Sequence, residues 1–169
     1  MSLVSHHRPA TPQRVLLFLD FDGVLHAFPA PAARADQFCH LARLEAVLLE
    51  FPEIMVVISS TWRLDYPLDA LQQLFSTDVR HRIIGVLPEV PIGGLADVAG
   101  SRHREIVDYL RGDGDAVWIA LDDDATLFPV ETLQQVILCD DGFRDKQANL
   151  LRDKVAAMRK GRGPALSTK

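Results

Sequence analysis

Two aspartates follow the first apolar segment of the chain, in the stretch LLFLDFDGVL at residues 16–25. Asp20 comes directly after the apolar run, and Asp22 lies two positions further on. Like charges at the rim of an apolar core are costly unless a cation or hydrogen bonds compensate them. The next residues, GVLH, do not have the pattern of a helix start, so a capping role explains the pair poorly. The two aspartates therefore favour a site that does chemistry.

Further polar residues follow later apolar segments. They are Ser59, Ser60 and Thr61 after the second segment, Asp122, Asp123 and Asp124 after the fourth, and Asp140 and Asp141 after the fifth. Carboxylates about 4 Å apart repel each other by about 4 kcal/mol at an effective dielectric constant of about 20, and a divalent cation would relieve this repulsion. Mg²⁺ suits such a site, because it binds through one or two carboxylates and fills its other positions with water and phosphate. Hydroxyl groups at a strand-to-helix turn suit phosphate oxygens, so the sequence predicts a site for Mg²⁺ and a phosphate group.

Some of these polar residues have a simpler interpretation. Asp124 fits better as a helix N-cap or a solvated residue. Asp140 and Asp141 precede a glycine and fit better as turn residues. His26 fits better as a packed or solvated histidine than as a substrate contact. For Trp62, a place in the phosphate pocket and a place in the core remain equally open.

Short apolar segments alternate with segments of helical periodicity. The predicted strands are 14–19, 53–59, 82–87, 116–121 and 135–139, and the predicted helices cover about 33–51, a short stretch opening at Pro67, a stretch capped by Ser101 and a last stretch around residues 150–158. This alternation predicts an α/β fold, a Rossmann-like three-layer sandwich with a central, mostly parallel five-stranded sheet. Ligands bind beyond the carboxyl ends of the strands in such sheets, which is where the polar residues lie.

The length of 169 residues fits one domain. We expect this domain to span residues 14–160, between a flexible N-terminus at 1–13 and a flexible C-terminal tail at 161–169. The stretches 23–52 and 61–100 are too short to hold an independent core, which predicts no substantial cap domain over the site. An open site would suit a bulky or polymeric substrate.

Composition limits the classes of partner. The net charge of −5 argues against broad, nonspecific nucleic-acid binding, although it leaves a local basic groove open. The two cysteines, Cys39 and Cys139, cannot form a disulfide framework, which favours a reduced, cytoplasmic setting. The first residues have no apolar core of a secretory signal, and no apolar run reaches the roughly 20 residues of a membrane span. We therefore expect no membrane partner.

Four motifs together resemble the haloacid dehalogenase (HAD) superfamily of phosphohydrolases. They are LLFLDFDGVL, then VVIS, then SRHREIVDYL, then WIALDDD, and they occur in the family's order on alternating elements over about residues 14–155. The stretch ISSTWR, with the later pattern R-x-x-E-I, is further similar to small bacterial HAD-domain proteins, some of which are associated with RNA-repair systems.

The resemblance implies a role for each motif. Asp20 would attack phosphorus and form an aspartyl-phosphate, which is covalent catalysis. Asp22 would serve as general acid for the leaving group and then as general base for water. The metal ligands for Mg²⁺ would be Asp20, the backbone carbonyl of Asp22, and Asp123 with Asp122 beside it, the choice between the last two staying open. The implied function is a Mg²⁺-dependent phosphatase acting on a phosphomonoester.

The phosphate contacts follow from the second and third motifs. Ser59 and Ser60 would bind phosphoryl oxygens, although many family members have Asn at the position of Ser60. Arg102 would neutralise charge on the phosphoryl group, where the family usually has Lys, and Arg104 competes with it for this role. The alternative function is a non-catalytic HAD domain with a regulatory role that binds phosphate or a partner. A phosphoacceptor domain of the receiver type is less compatible, because its phosphorylated Asp follows a later strand.

Overall fold

The computed structural model describes residues 14–33, 36–91, 93–94, 98–112 and 116–160. The strands are β1 (Val15–Leu19), β2 (Ile54–Ile58), β3 (Ile83–Val86), β4 (Val117–Asp122) and β5 (Val136–Leu138). The α-helices are α1 (Leu41–Glu50), α2 (Leu68–Gln72), α3 (Ser101–Leu110) and α4 (Asp145–Lys160). Short 3₁₀ helices lie at Thr61–Leu64, Arg80–Arg82, Ala125–Leu127 and Val130–Gln135. The predicted termini 1–13 and 161–169 lie outside the described residues.

The five strands form one sheet in the order β3-β2-β1-β4-β5, and every neighbouring pair is parallel. The predicted α/β sandwich is therefore confirmed. Because β1 lies at the centre, its carboxyl end is flanked by those of β2 and β4. The register pairs Leu19 with Ile58 on one side and with Leu121 on the other, so the residues after these three strands meet at one edge.

Helices cover both faces of the sheet. Leu17 of β1 packs in one core with Leu44 of α1 and Leu151 of α4. Phe18, which points to the opposite face, packs in a second core with Ile106 of α3. This burial on both faces explains why the strand sequences are continuous apolar runs and do not alternate between apolar and polar residues. Fully burying each such side chain contributes about 1.5–3 kcal/mol, so the site stands on a rigid base.

The first helix begins later than its periodicity predicts. We expected a helix from about Ala33, but α1 starts at Leu41, and residues 36–40 form turns. Phe38 adopts a φ of 59°, a left-handed conformation that cannot continue a right-handed helix. Its ring packs edge-on against His26 instead, so tertiary packing overrides the local pattern here. A smaller correction applies to α3, which begins at Ser101 rather than after it.

Inserted structure is small on both sides of the second motif. Within the described part of 23–52 the chain forms turns and α1, and within that of 61–100 it forms 3₁₀ turns, α2 and β3. Neither stretch builds a core of its own, which agrees with the prediction of no substantial cap. Across the described ranges, none of the helices combines the length and apolar character that a membrane crossing requires.

Candidate active site

Backbone hydrogen bonds of the sheet continue one residue beyond β1 and β2 and hold the backbone of Asp20 and Ser59. The Asp20 N–H donates to the Leu121 carbonyl at 3.0 Å, and the Ser59 N–H donates to the Leu19 carbonyl at 2.9 Å. Asp20 and Ser59 therefore still follow the strand ladder, while their side chains belong to the carboxyl edge. The site therefore begins at residues that the hydrogen bonds of the sheet hold in place.

Three carboxylates converge at this edge. Asp20, Asp122 and Asp123 each offer an oxygen, and these oxygens all lie within 4.8 Å of one another. Asp20 and Asp122 are buried, whereas Asp123 is partly open to solvent. Burial raises the pKa of Asp20 although Arg102 acts to lower it. Burial, and after it the charge of Asp20, raise the pKa of Asp122 to about 7.

This donor set fits a hard divalent cation. Burial also raises the pKa of Asp123, with a further contribution from Asp20. Three carboxylates with raised pKa values share more negative charge than their surroundings compensate. Oxygen ligands at such spacing are the kind that Mg²⁺ prefers. Asp122 also has hydrogen-bond donors within the protein. It accepts from Arg102 Nε at 3.2 Å and from the Asp124 N–H at 3.0 Å.

Arg102 is the cation of the cluster. Its guanidinium lies 3.5 Å from Asp20 Oδ2 and 3.2 Å from Asp122 Oδ2, and it also donates to the Ser59 carbonyl. These carboxylates raise the pKa of Arg102 despite its burial. Arg104, the alternative for the third motif, is exposed and donates to the Ala99 carbonyl. The structure therefore brings Arg102, and not Arg104, to the aspartates.

Two further charged side chains, Glu105 and Arg63, hold Arg102 in position. Glu105 accepts from Arg102 Nη1 at 3.3 Å and from Arg63 Nη2 at 2.6 Å. Arg63 in turn donates to the carbonyls of Ser59 and Leu87 at 2.6 Å and 3.1 Å. All three charged side chains are almost fully buried. Glu105 thus ties the start of α3 to the end of β2.

The two serines of the second motif are buried beside Asp20. The Ser60 hydroxyl oxygen accepts from the Trp62 N–H at 3.4 Å, and its side chain also hydrogen-bonds Asp20, which acts to lower the pKa of that carboxyl. The Ser59 carbonyl is a shared acceptor for Arg63 and Arg102. The phosphate-binding role predicted for both serines stays a prediction.

Asp22 stands apart from the three clustered carboxylates. Its Oδ1 lies 3.1 Å from His26 Nε2, and its Oδ2 accepts from Trp62 Nε1 at 3.0 Å. Its side chain keeps one fifth of its surface exposed. Any part that Asp22 takes in metal binding would therefore fall to its backbone carbonyl, as the resemblance implied. Its carboxylate is then available for the acid and base role that the resemblance implied.

Gly23 lets Asp123 approach the first motif. Gly23 has a φ of 71°, and a Cβ placed there would lie 2.1 Å from Asp123 Oδ2. A cavity of about 450 Å³ opens next to these two residues. Its walls include Phe28 and His40 from the loop after β1 and Arg144 from the loop after β5. Of the three clustered carboxylates, Asp123 lines this cavity, which is large enough to hold a substrate group.

The remaining strand-end acids have the simpler roles that their context indicated. Asp124 caps the 3₁₀ helix at Ala125–Leu127, accepting from the Thr126 N–H at 2.9 Å. Asp141 pairs with Arg144 at 3.0 Å on the exposed rim. Both follow the pattern of acids that satisfy local donors rather than a ligand.

Sequence reasoning did not assign the supporting residues of this site. Glu105 carried one usable signal, because it lies three positions after Arg102 on a helix, the spacing at which opposite charges meet. The sequence raised His26 and Trp62 as candidates for packing or for the pocket, but it did not indicate their contacts with Asp22. Those contacts depend on how the loop after β1 packs against the 3₁₀ helix at Thr61–Leu64.

Comparison with known families agrees with this geometry. A sequence model described as the HAD domain in Swiss Army Knife RNA repair proteins matches residues 16–148. The match runs from β1 into α4, so it includes every site residue described above. Neither the curated proteins nor the solved structures gave a significant match. Because the family match spans well over half of the chain, this protein belongs to the HAD domains of Swiss Army Knife RNA repair proteins, within the HAD superfamily.

Proposed function

We propose that this chain is a Mg²⁺-dependent phosphatase that hydrolyses a phosphomonoester through an aspartyl-phosphate on Asp20. One observation carries the proposal above the others. Three carboxylate oxygens lie within 4.8 Å of one another, and the Arg102 guanidinium lies 3.5 Å from the first of them. Such an arrangement would suit one cation and one phosphoryl group that balance the charges of the site.

The first half of the reaction transfers the phosphoryl group to the enzyme. A carboxylate oxygen of Asp20 forms a bond to phosphorus as the bond from phosphorus to the leaving oxygen breaks. Asp22, in its protonated form, gives its proton to that leaving oxygen. Arg102, with Ser59 and Ser60, stabilises the negative charge on the transferring group. The products of this half are the free alcohol and the acyl phosphate.

The second half releases phosphate and restores both aspartates. Asp22, now a carboxylate, takes a proton from a water molecule as the water oxygen bonds to phosphorus. The bond between phosphorus and Asp20 breaks, and the Asp20 carboxylate is regenerated. Asp20, Asp123, Asp122 and the Asp22 carbonyl would hold Mg²⁺, which when bound supplies positive charge that lowers repulsion between phosphate and carboxylates.

For the substrate, we propose a phosphate at the end of an RNA strand. The family is described by its occurrence in RNA repair proteins, and repair requires strand ends with the correct phosphate state. Within the described residues no inserted core covers the site, which would let a polymer end approach it. The cavity beside Asp123, with the exposed ring of Phe28 at its wall, would take the terminal nucleoside. Aromatic rings are common contacts for unpaired bases.

The test compares p-nitrophenyl phosphate with RNA oligonucleotides that carry a 5′- or a 3′-phosphate. We expect phosphate release that requires Mg²⁺, stops with EDTA and is abolished in Asp20→Asn. Faster turnover of one RNA end than of p-nitrophenyl phosphate would support the substrate proposal. Normal turnover by Asp20→Asn would contradict the mechanism. Binding of beryllofluoride with no turnover on any of these substrates would instead support a non-catalytic phosphate-binding domain.

A further inference from the structure

We propose that His26 and Trp62 are positioning residues that hold the carboxylate of Asp22 between two N–H donors and so aim its proton at the leaving group. The catalytic meaning of this clamp rests on the function proposed above. The clamp itself is a geometric statement about His26, Trp62 and Asp22. It gives a role to a fully buried histidine that the reaction scheme does not otherwise use.

Each oxygen of Asp22 has its own donor. Trp62 Nε1, whose ring N–H can only donate, lies 3.0 Å from Oδ2. His26 Nε2 lies 3.1 Å from Oδ1. Two donors on two oxygens fix both the position and the rotation of the carboxylate plane. One lone pair on each oxygen is still free to carry the transferred proton.

The loop backbone sets which nitrogen of His26 carries the hydrogen. The Phe38 N–H donates to His26 Nδ1 at 3.3 Å, so Nδ1 is an acceptor and carries no hydrogen. In a neutral imidazole the hydrogen then lies on Nε2, which faces Asp22. The histidine is thereby oriented as a donor to Asp22 by a partner on its other side, as a supporting residue orients a catalytic group in many active sites.

Phe38 is held in an unusual conformation where it makes this contact. Its φ of 59° is rare for a residue with a bulky side chain, and such outliers cluster at functional sites. The Phe38 ring contacts His26 and Trp62 edge-on, with centroids 4.8 Å and 5.2 Å away. Phe21 contacts both Phe38 and Trp62 at 5.4 Å and 5.9 Å. The rings of Phe38 and Phe21 therefore pack around the two donor side chains and restrict their movement.

This arrangement predicts a loss that depends on the leaving group. A proton donor matters for an alkyl phosphate, whose leaving oxygen is strongly basic, and matters little for 2,4-dinitrophenyl phosphate, whose leaving group departs as a stable anion. The value of kcat/KM reports phosphoryl transfer to Asp20 and not the later attack by water. A fault confined to proton delivery should therefore lower kcat/KM for the alkyl substrate alone.

The kinetic test uses His26→Leu, His26→Gln and Trp62→Phe in the full chain. We expect His26→Leu and Trp62→Phe to lose about 10- to 100-fold in kcat/KM on an alkyl phosphate and less than about threefold on 2,4-dinitrophenyl phosphate. His26→Gln should regain most of the loss, because the amide N–H of Gln can replace Nε2. His81→Gln, which changes an exposed histidine in the 3₁₀ helix at Arg80–Arg82, is the control. Equal losses on both substrates would show a structural role and overturn the proposal.

A spectroscopic experiment tests the hydrogen bonds of the clamp and requires no substrate turnover. Nitrogen-15 NMR of the histidines in the wild-type chain should show hydrogen on Nε2 of His26 and none on Nδ1. The Trp62 indole N–H signal should shift in Asp22→Ala. Hydrogen on Nδ1 of His26, or an indole signal indifferent to Asp22→Ala, would overturn the clamp. If the wild-type chain hydrolyses no phosphomonoester while these signals are as expected, the proposed function fails and the clamp stands.

Discussion

Arg102 Nη2 lies 3.5 Å from Asp20 Oδ2, so this buried guanidinium contacts the carboxylate that we propose as nucleophile. The same guanidinium contacts Asp122 and Glu105. A planar group with five donors can serve three carboxylates at once, whereas an ammonium group acts as a point charge. This accounts for an Arg at a position where the resemblance to the HAD superfamily leads us to expect Lys.

Arg102→Lys is therefore expected to be a poor replacement. Lys cannot reach Asp20, Asp122 and Glu105 together, so the charge facing the phosphoryl group would be misplaced. We expect kcat to fall by about 100-fold, a size typical of losing one stabilising donor. Steady-state kinetics on p-nitrophenyl phosphate measure this. The matched change Arg104→Lys, at an exposed site on the same helix, should keep kcat within about twofold. An equal effect of both changes would contradict the assignment.

Glu105→Gln should destabilise the fold as well as the site. The change leaves two buried arginines, Arg63 and Arg102, without the carboxylate between them. Breaking a buried ion pair in this way typically costs about 3–5 kcal/mol, which urea denaturation can measure. Glu50→Gln, which removes an exposed partner of Arg152, should change stability far less. Similar midpoints for the two variants would show that Glu105 does not brace Arg102.

Gly23→Ala should weaken Mg²⁺ binding. A Cβ at this position would lie 2.1 Å from Asp123 Oδ2 and 2.7 Å from Asp123 Cβ, so Asp123 must move away from the cluster. Displacing a ligand or its support typically costs 10- to 100-fold in metal affinity. Calorimetric titration with Mg²⁺ tests this. Gly94→Ala, where a Cβ would meet no described atom within 4 Å, is the control. Unchanged Mg²⁺ affinity in Gly23→Ala would show that Asp123 is not a ligand.

The raised pKa of Asp122 predicts how pH and Mg²⁺ interact. Burial and the charge of Asp20 raise it to about 7, well above the value of about 4 expected in the unfolded chain. The folded protein then keeps a proton that the unfolded chain has released, so this group's contribution to the free energy of unfolding falls as pH rises from about 4 to 7.

Mg²⁺ competes with that proton. Added Mg²⁺ should therefore raise the melting temperature more at pH 8 than at pH 5, with EDTA-treated protein as the reference. Asp122→Asn, which keeps a hydrogen-bond acceptor for Arg102 but cannot titrate, should lose most of the pH dependence. An equal Mg²⁺ effect at both pH values in the unmodified chain would contradict this account of the cluster.

The sequence was sufficient to predict that the polar residues at the strand ends meet at one edge of the sheet. Asp20 and Ser59 each follow an apolar strand and Asp122 ends one. Parallel strands bring their carboxyl ends to one edge, independently of the loops that connect them. The choice between Arg102 and Arg104 stayed open in the sequence, and the structure brings Arg102 to Asp20 and Asp122. Two residues that lie two positions apart on a helix cannot both face the sheet.

The supporting residues were not predictable in the same way. Phe38 fits the helical periodicity of its segment, but its ring is needed between His26 and Trp62 and its φ leaves the helical region. The contacts of Asp22 join the loop after β1 to the 3₁₀ helix at Thr61–Leu64, and His26 and Trp62 are 36 positions apart. Local pattern carries no information on such contacts, since packing between distant segments decides them.

The central claim is that Asp20 becomes phosphorylated, and chemical trapping tests it most directly. The wild-type chain is mixed with Mg²⁺ and a reactive phosphomonoester, quenched within one turnover and treated with borohydride, which reduces an acyl phosphate to an alcohol. The account predicts that peptide mass spectrometry finds homoserine at position 20, and none in Asp20→Asn or with EDTA. Substrate turnover with homoserine at no position, or at an aspartate other than Asp20, would contradict it.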